Sequence, residues 1–253
     1  MQRAEWMQYC GRAILSAMGI QYRVEGATPS GPVLIVANHL SYLDIVICAA
    51  AAPCAFVAKD EIAAWPFFGK LARLGGTIFL DRQSRMSAWD AAETMAMRLA
   101  EGVPVLVFPE GTSTDGRELQ RFHSTLFEPA VESGLAVVPA AVFYEPTGDH
   151  LREWDICWFG DALFLPHLTQ VLGLLDFVAV VRFGKSEVFP DRRTAAWRSH
   201  DAIEAMRAKS VKSQTAFAVE RLRFPLFGSL GSFEEGGAVE PRTTRLVETR
   251  NSR

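Results

Sequence analysis

Short apolar runs, each closed by a polar or glycine-bearing turn, recur along this chain and confine it to a small set of α/β architectures. Val33 to Ala37, Gly76 to Leu80, Val103 to Val107 and Ala136 to Val142 are rich in β-branched and aliphatic residues. Runs of that length and type read as buried strands. Helical patterns lie between them. Ser87 to Ala100 sets Trp89, Ala92, Ala96 and Leu99 at 3-4-3 spacing behind a Ser87-x-x-Asp90 start, and Gly102 closes it. Further strands are predicted at Ile20 to Val24, on a sheet edge, and at Ala55 to Ala58, Trp154 to Phe159 and Phe177 to Phe183. Further helices are predicted at Ile45 to Ala52, Phe127 to Ser133 and Ala162 to Leu174. The alternation favours one α/β domain with a mixed, largely parallel sheet flanked by helices.

The first of these strands runs into Asn38-His39-Leu40-Ser41-Tyr42-Leu43-Asp44. Carboxyl ends of strands are where α/β folds usually keep their chemistry. A neutral imidazole accepts a proton near pH 7, and a carboxylate on its other nitrogen fixes the tautomer and stabilises the imidazolium that forms. His39 and Asp44 therefore read as a general base and its orienter. A structural reading stands beside this one, because Ser41-x-x-Asp44 is also a capping box, with Ser41 starting a helix. The two are compatible. Inside one continuous helix an i, i+5 pair would diverge by roughly 140°, so the turn between strand and helix is what lets the side chains meet.

Three more blocks follow at strand ends: Asp81-Arg82, Phe108-Pro109-Glu110-Gly111-Thr112, and the strand Ala136 to Val142 containing Pro139. In this order and spacing the four blocks resemble those of the glycerolipid and lysophospholipid acyltransferases, the 1-acylglycerol-3-phosphate acyltransferase type, over roughly residues 25 to 190. The resemblance implies transfer of a fatty acyl chain to the free hydroxyl of a lysophospholipid, with His39 and Asp44 catalytic. It implies an acceptor site built from Asn38, Ser41, Arg82, Glu110, Gly111, Thr112 and Pro139. The implied donor is acyl-CoA or acyl carrier protein, with no further cofactor.

Elementary chemistry supports parts of this. A guanidinium at Arg82 can bind a phosphate bidentately, although an Asp81 to Arg82 surface pair would be worth little. Glu110 lies between proline and glycine, residues that fix the backbone and let a ligand approach closely. Where many lysophosphatidic acid acyltransferases carry arginine after Phe-Pro-Glu-Gly-Thr, this chain has Ser113, followed by Thr114-Asp115-Gly116. Together with Phe122 to Phe127 and Trp158-Phe159-Gly160-Asp161, that stretch looks closer to a bacterial branch that includes lyso-ornithine lipid O-acyltransferases. Both acceptors stay open. So does a reading of another class, a catalytically silent lipid-binding membrane protein, against which the joint presence of His39, Asp44 and Glu110 argues.

Length and composition exclude several alternatives. The chain has 253 residues and a net charge of −3, with a mean hydropathy of +0.09, so no nucleic-acid footprint is expected. Its longest uncharged apolar runs, such as Ile45 to Ala58, fall short of the roughly 20 residues that cross a bilayer. Arg3, Glu5 and Arg12 interrupt the start where a signal peptide needs an apolar core. The expected place is the cytoplasmic face of the inner membrane, peripheral or monotopic.

Cys10, Cys48, Cys54 and Cys157 lack metal or redox spacing and read as buried thiols. His123, His150, His167 and His200 have no partner at ligand spacing, so no metal is assigned. No glycine-rich nucleotide loop is present. The expected layout is an amphipathic amino-terminal helix over residues 1–24, an acyltransferase domain over 25–224 and a disordered polar tail over 225–253. Glu5 to Gly19, with Trp6, Tyr9, Ile14, Leu15 and Met18, either lies in a membrane interface or packs on the core. The stretch from Pro190 to Arg223 carries eight basic residues against four acidic ones, which suits either anionic headgroups or a solvated helix face.

Overall fold

The computed structural model describes residues 1–65, 68–81, 85–147, 150–174 and 176–210. The chain divides into Met1–Arg223 and Phe224–Arg253. The expected polar tail falls in the second unit, outside the described residues. In chain order come α1 (Gln2–Met18), β1 (Gln21–Glu25), β2 (Val33–Ala37), α2 (Leu43–Ala51) and β3 (Ala55–Lys59). Next are α3 (Phe68–Leu74), β4 (Ile78–Leu80), α4 (Arg85–Ala100), β5 (Val105–Val107) and α5 (Glu128–Glu132). The series closes with β6 (Ala136–Pro146), α6 (Phe164–Gly173), β7 (Phe177–Phe183) and α7 (Arg192–Ser210).

The described residues form a 7-stranded sheet in the order β1-β7-β6-β2-β5-β3-β4. Strand β1 is at an edge and β2 in the middle, as their patterns predict. All pairings are parallel except β6 with β7. Central strands buried on both faces carry continuous apolar runs, which is what Val33 to Ala37 shows. One face of the sheet packs α1, α2 and α6 through Leu15, Ile47 and Val171. The other packs α4, α5 and α7 through Met95, Leu99, Ala130 and Ile203.

Helix α1 settles its two readings along its own length. Met7, Gly11 and Leu15 are buried, and Gly11 lies so close to α2 that a Cβ there would stand 2.8 Å from the amide nitrogen of Ala50. Gln8 and Arg12 donate to the Ala50 carbonyl at 3.3 and 3.1 Å. The helix is thus docked on the core, while Trp6 and Tyr9 stay exposed.

One predicted element differs. The run Trp154 to Phe159 is no strand; a 3-10 turn at Glu153–Asp155 is followed by irregular chain. Its period-2 apolar pattern arises because Ile156 is buried in the core while the Trp158 amide donates to the Leu40 carbonyl at 2.8 Å. Between β3 and β4 the chain forms a 3-10 turn at Asp60–Ala64 and then helix α3.

Candidate active site

The site forms at the carboxyl edge of the sheet, where β2 stops short of its neighbour. The β2–β6 ladder ends at Ala37 opposite Ala140, but β6 runs on. Asn38 then takes over the pairing with its side chain: the Val142 amide donates to Asn38 Oδ1 at 2.7 Å, and Asn38 Nδ2 donates to the Val142 carbonyl at 2.8 Å. A side-chain amide has one acceptor and one donor at the spacing of a peptide group, so the bracket closes the strand end without an orphaned polar group.

Beyond the bracket the chain turns, and His39 and Asp44 meet. His39 Nδ1 and Asp44 Oδ2 are 2.8 Å apart. The same oxygen accepts from the amides of Leu40, at 2.5 Å, and Ser41, at 2.9 Å. Asp44 Oδ1 accepts from the hydroxyl of Tyr144 at 2.5 Å. A carboxylate with no solvent exposure therefore has four donors, which is what a buried charge requires. Half of the expected capping box is present, since the carboxylate reaches back to the Ser41 amide. The other half is not: Ser41 Oγ accepts weakly from Leu43 at 3.4 Å, and α2 begins after Tyr42.

With Nδ1–H pointing at Asp44, Nε2 is the nitrogen left to take a proton. The imidazole lies flat on Phe108, ring centres 4.2 Å apart and planes 18° from parallel, and its side chain keeps 18% of its exposure. Backbone contacts hold it as well. The His39 amide donates to Glu110 Oε1 at 2.7 Å, and its carbonyl accepts from the Thr114 amide at 3.0 Å. Glu110 Oε2 accepts from the Gln120 amide at 2.9 Å. Burial raises the Glu110 pKa above the usual carboxylate range, with those two amides opposing it.

A further layer ties this loop to α7. Arg207 donates to the carbonyls of Val142 and Gly116 at 2.6 and 2.7 Å and pairs with Glu153 at 3.0 Å. Glu153 Oε1 in turn accepts from the Tyr144 amide at 3.1 Å.

The predicted acceptor residues fall into three groups. Asn38, Ser41 and Pro139 are buried and help build the strand end: Asn38 uses both amide atoms on Val142, Ser41 anchors Asp44, and Pro139 sits within β6 opposite Val36. Glu110, Gly111 and Thr112 occupy the turn beside His39. Glu110 holds amides, Gly111 takes φ +76°, a left-handed conformation that favours glycine, and Thr112 is exposed. Arg82 lies outside the described residues. Strand β4, which precedes it, ends on the same edge of the sheet three strands from β2, roughly 14 Å away at the usual strand spacing. Sequence reasoning missed Tyr144, Phe108 as a stacking partner and Arg207. Only Tyr144 left a trace, as a lone tyrosine at i+2 from Val142 on one face of β6.

The chain belongs to the acyltransferase family, whose model matches residues 19–143 and curated members of which align with it over more than two thirds of their own length. A lyso-ornithine lipid O-acyltransferase from Rhodobacter capsulatus is 35% identical over 209 residues, 77% of this chain and 72% of that protein. One from Pseudomonas aeruginosa is 39% identical over 159 residues, 63% of this chain and 60% of the relative's length. A 1-acyl-sn-glycerol-3-phosphate acyltransferase from Neisseria meningitidis is 32% identical over 202 residues, 78% of each chain. The crystal structure of the 1-acyl-sn-glycerophosphate acyltransferase PlsC from Thermotoga maritima shares the fold, with a TM-score of 0.60 over 85% of this chain and 81% of that one, at 19% identity.

Proposed function

We propose that this protein transfers a fatty acyl group from the thioester of acyl-CoA or acyl carrier protein to the free hydroxyl of a lysolipid. One observation carries the reading: a partly exposed imidazole whose Nδ1 is held by a fully buried carboxylate, leaving Nε2 open. In the reaction Nε2 takes the acceptor's hydroxyl proton while the oxygen attacks the thioester carbonyl carbon. The tetrahedral oxyanion collapses, the C–S bond breaks, and the thiolate takes the proton from the imidazolium. A thiolate leaves readily, so no covalent enzyme intermediate is needed.

Two acceptors are compatible with the relatives, lysophosphatidic acid and lyso-ornithine lipid. Ser113, standing where a second phosphate-binding arginine is expected, favours the ornithine lipid. Its acceptor is held in a bilayer by its acyl chain, so the reading puts the reaction at a membrane surface; no helix of the described residues is long and apolar enough to cross a membrane. A thioester donor of this kind is supplied from the cytoplasm, which supports the cytoplasmic face of the inner membrane as its place of work.

The test is a purified assay in which labelled acyl donor is offered with both lysolipids in competition, with His39→Ala as control. Turnover should fall by about 10²- to 10⁴-fold in the variant. Near-normal turnover there would sink the dyad, and failure with both lysolipids would sink the acceptor class.

A further inference from the structure

Helix α6 carries apolar residues on both sides, with Thr169 and Gln170 the exposed polar ones. His167 and Val171, one turn apart, are buried in the core. Leu165, Leu168 and Leu172 recur at 3-4 spacing on the outer side, where a surface helix ordinarily carries polar residues. Leu163, Leu165 and Leu172 are 73%, 66% and 44% exposed, and Phe159 just upstream is 42% exposed. From Ala162 to Leu174 the chain has no charged side chain. Clustered exposed apolar residues of this kind mark contact with a protein or a membrane.

This face is joined to the loop that carries the base. The hydroxyl of Tyr42, three residues from His39, meets His167 Nδ1 on α6 at 3.1 Å. The Trp158 amide holds the Leu40 carbonyl at 2.8 Å, and its indole donates to the Ala162 carbonyl at 2.8 Å. Tyr42, Trp158 and Phe164 pack edge to face between them, with ring centres 4.9 to 6.4 Å apart.

We propose that the outer face of α6, with Phe159 and Leu163, is the surface by which this protein sits in a lipid bilayer, its leucines entering the hydrocarbon edge. The proposal rests on the lysolipid reading above. A lysolipid is held in a bilayer by its acyl chain and presents its hydroxyl at the interface, so the base must be brought to that depth. A helix without charge from Ala162 to Leu174, tied by Tyr42 and Trp158 to the residues flanking His39, does this. The basic helix α7 is less suited to the task. Its Arg192, Arg198 and Arg207 are paired with Glu128, Glu187 and Glu153 inside the molecule, which leaves them little to offer anionic headgroups. Binding therefore depends on apolar insertion and weakly on salt.

The experiment floats the full chain with phosphatidylcholine vesicles, with and without phosphatidylglycerol, at low and high salt. The wild type should float with both, and high salt should release little. The double variant L165E/L172E should lose at least about tenfold in partition, since each leucine withdraws apolar area from water. Its turnover on a short-chain lysolipid below micelle-forming concentration should stay within about twofold of wild type, because neither side chain reaches the dyad. Leu165→Trp, which keeps the face apolar, should float at least as well as the wild type, and circular dichroism confirms folding of each. Flotation of L165E/L172E equal to wild type overturns the proposal. So does loss of a dimer by light scattering in that variant with vesicle binding intact, which would show that a second copy covers α6. If the wild type floats through α6 yet turns over no lysolipid, the docking face stands and acyl transfer fails.

Discussion

The hydroxyl of Tyr144 donates to Asp44 Oδ1 at 2.5 Å across 100 residues of sequence. Among the described residues it supplies the one side-chain donor on the oxygen that faces away from His39. Burial, and after it the charge of Asp44, push the phenol's pKa well above its ordinary value, so Tyr144 acts as a fixed donor rather than an acid. Tyr144→Phe keeps the ring and its edge contact with Phe177 but leaves Asp44 one donor short. An uncompensated hydrogen bond to a buried charge costs about 1–3 kcal/mol. The melting temperature should fall, and turnover should drop by roughly 3- to 30-fold, well short of the His39→Ala loss. Unchanged kinetics and stability together would show that the contact does not hold the carboxylate.

Asp44→Asn separates orientation from capping less cleanly than the sequence suggests. An Asn in this place keeps an oxygen for the Leu40 and Ser41 amides only by turning its NH2 to the Tyr144 hydroxyl, which must then accept instead of donate, and the buried negative charge that held these donors is gone. Turnover should collapse and, against the expectation for a simple orienter, the melting temperature should fall as well, by the equivalent of about 1–3 kcal/mol. Retained turnover with lowered stability would reduce Asp44 to a structural residue.

How much of this was legible in the sequence follows from range. His39 and Asp44 lie within one turn of chain, so the capping signature and the dyad could be read from the same seven residues. Tyr144 depends on register: only because Ala140 lies opposite Ala37 does Val142 come beside Asn38 and Tyr144 above Asp44, and no local pattern encodes that. The same limit explains Trp154 to Phe159, whose alternating apolar residues imitate a strand although the Trp158 amide is spent on Leu40.

Glu110 makes stability depend on pH in a definite direction. Its pKa is raised in the folded protein, so between the ordinary carboxylate value and the raised one the native state binds more protons than the unfolded chain. Stability contributed by this residue is then greatest below that window and declines as pH rises through it, levelling off above. Glu110→Gln has no such slope. It should be less stable than wild type, because its NH2 group meets the amide of His39 or Gln120, and the wild-type margin should shrink as pH rises through the window. Thermal melts of both proteins across the carboxylate range check this. A margin that widens with pH would reverse the assignment of burial as the dominant cause.

The acceptor's headgroup is tested at Arg82 and Ser113. A phosphate monoester carries close to two charges and suits a guanidinium fork, whereas an ornithine lipid offers a carboxylate and an amine. If lysophosphatidic acid is the substrate, Arg82→Ala should raise its Michaelis constant by about 10- to 100-fold, the worth of a charge-assisted hydrogen bond. Arg82→Lys should keep the charge, lose the bidentate geometry, and raise the Michaelis constant more than it lowers turnover. Ser113 is half-buried and precedes Thr114, whose amide holds the His39 carbonyl, so Ser113→Arg adds a guanidinium to the loop that holds His39. That variant should improve phosphate-headed acceptors selectively and leave lyso-ornithine lipid unchanged or poorer. Kinetics with lysophosphatidic acid that ignore both Arg82 substitutions would end the phosphate assignment and leave the ornithine lipid as the acceptor.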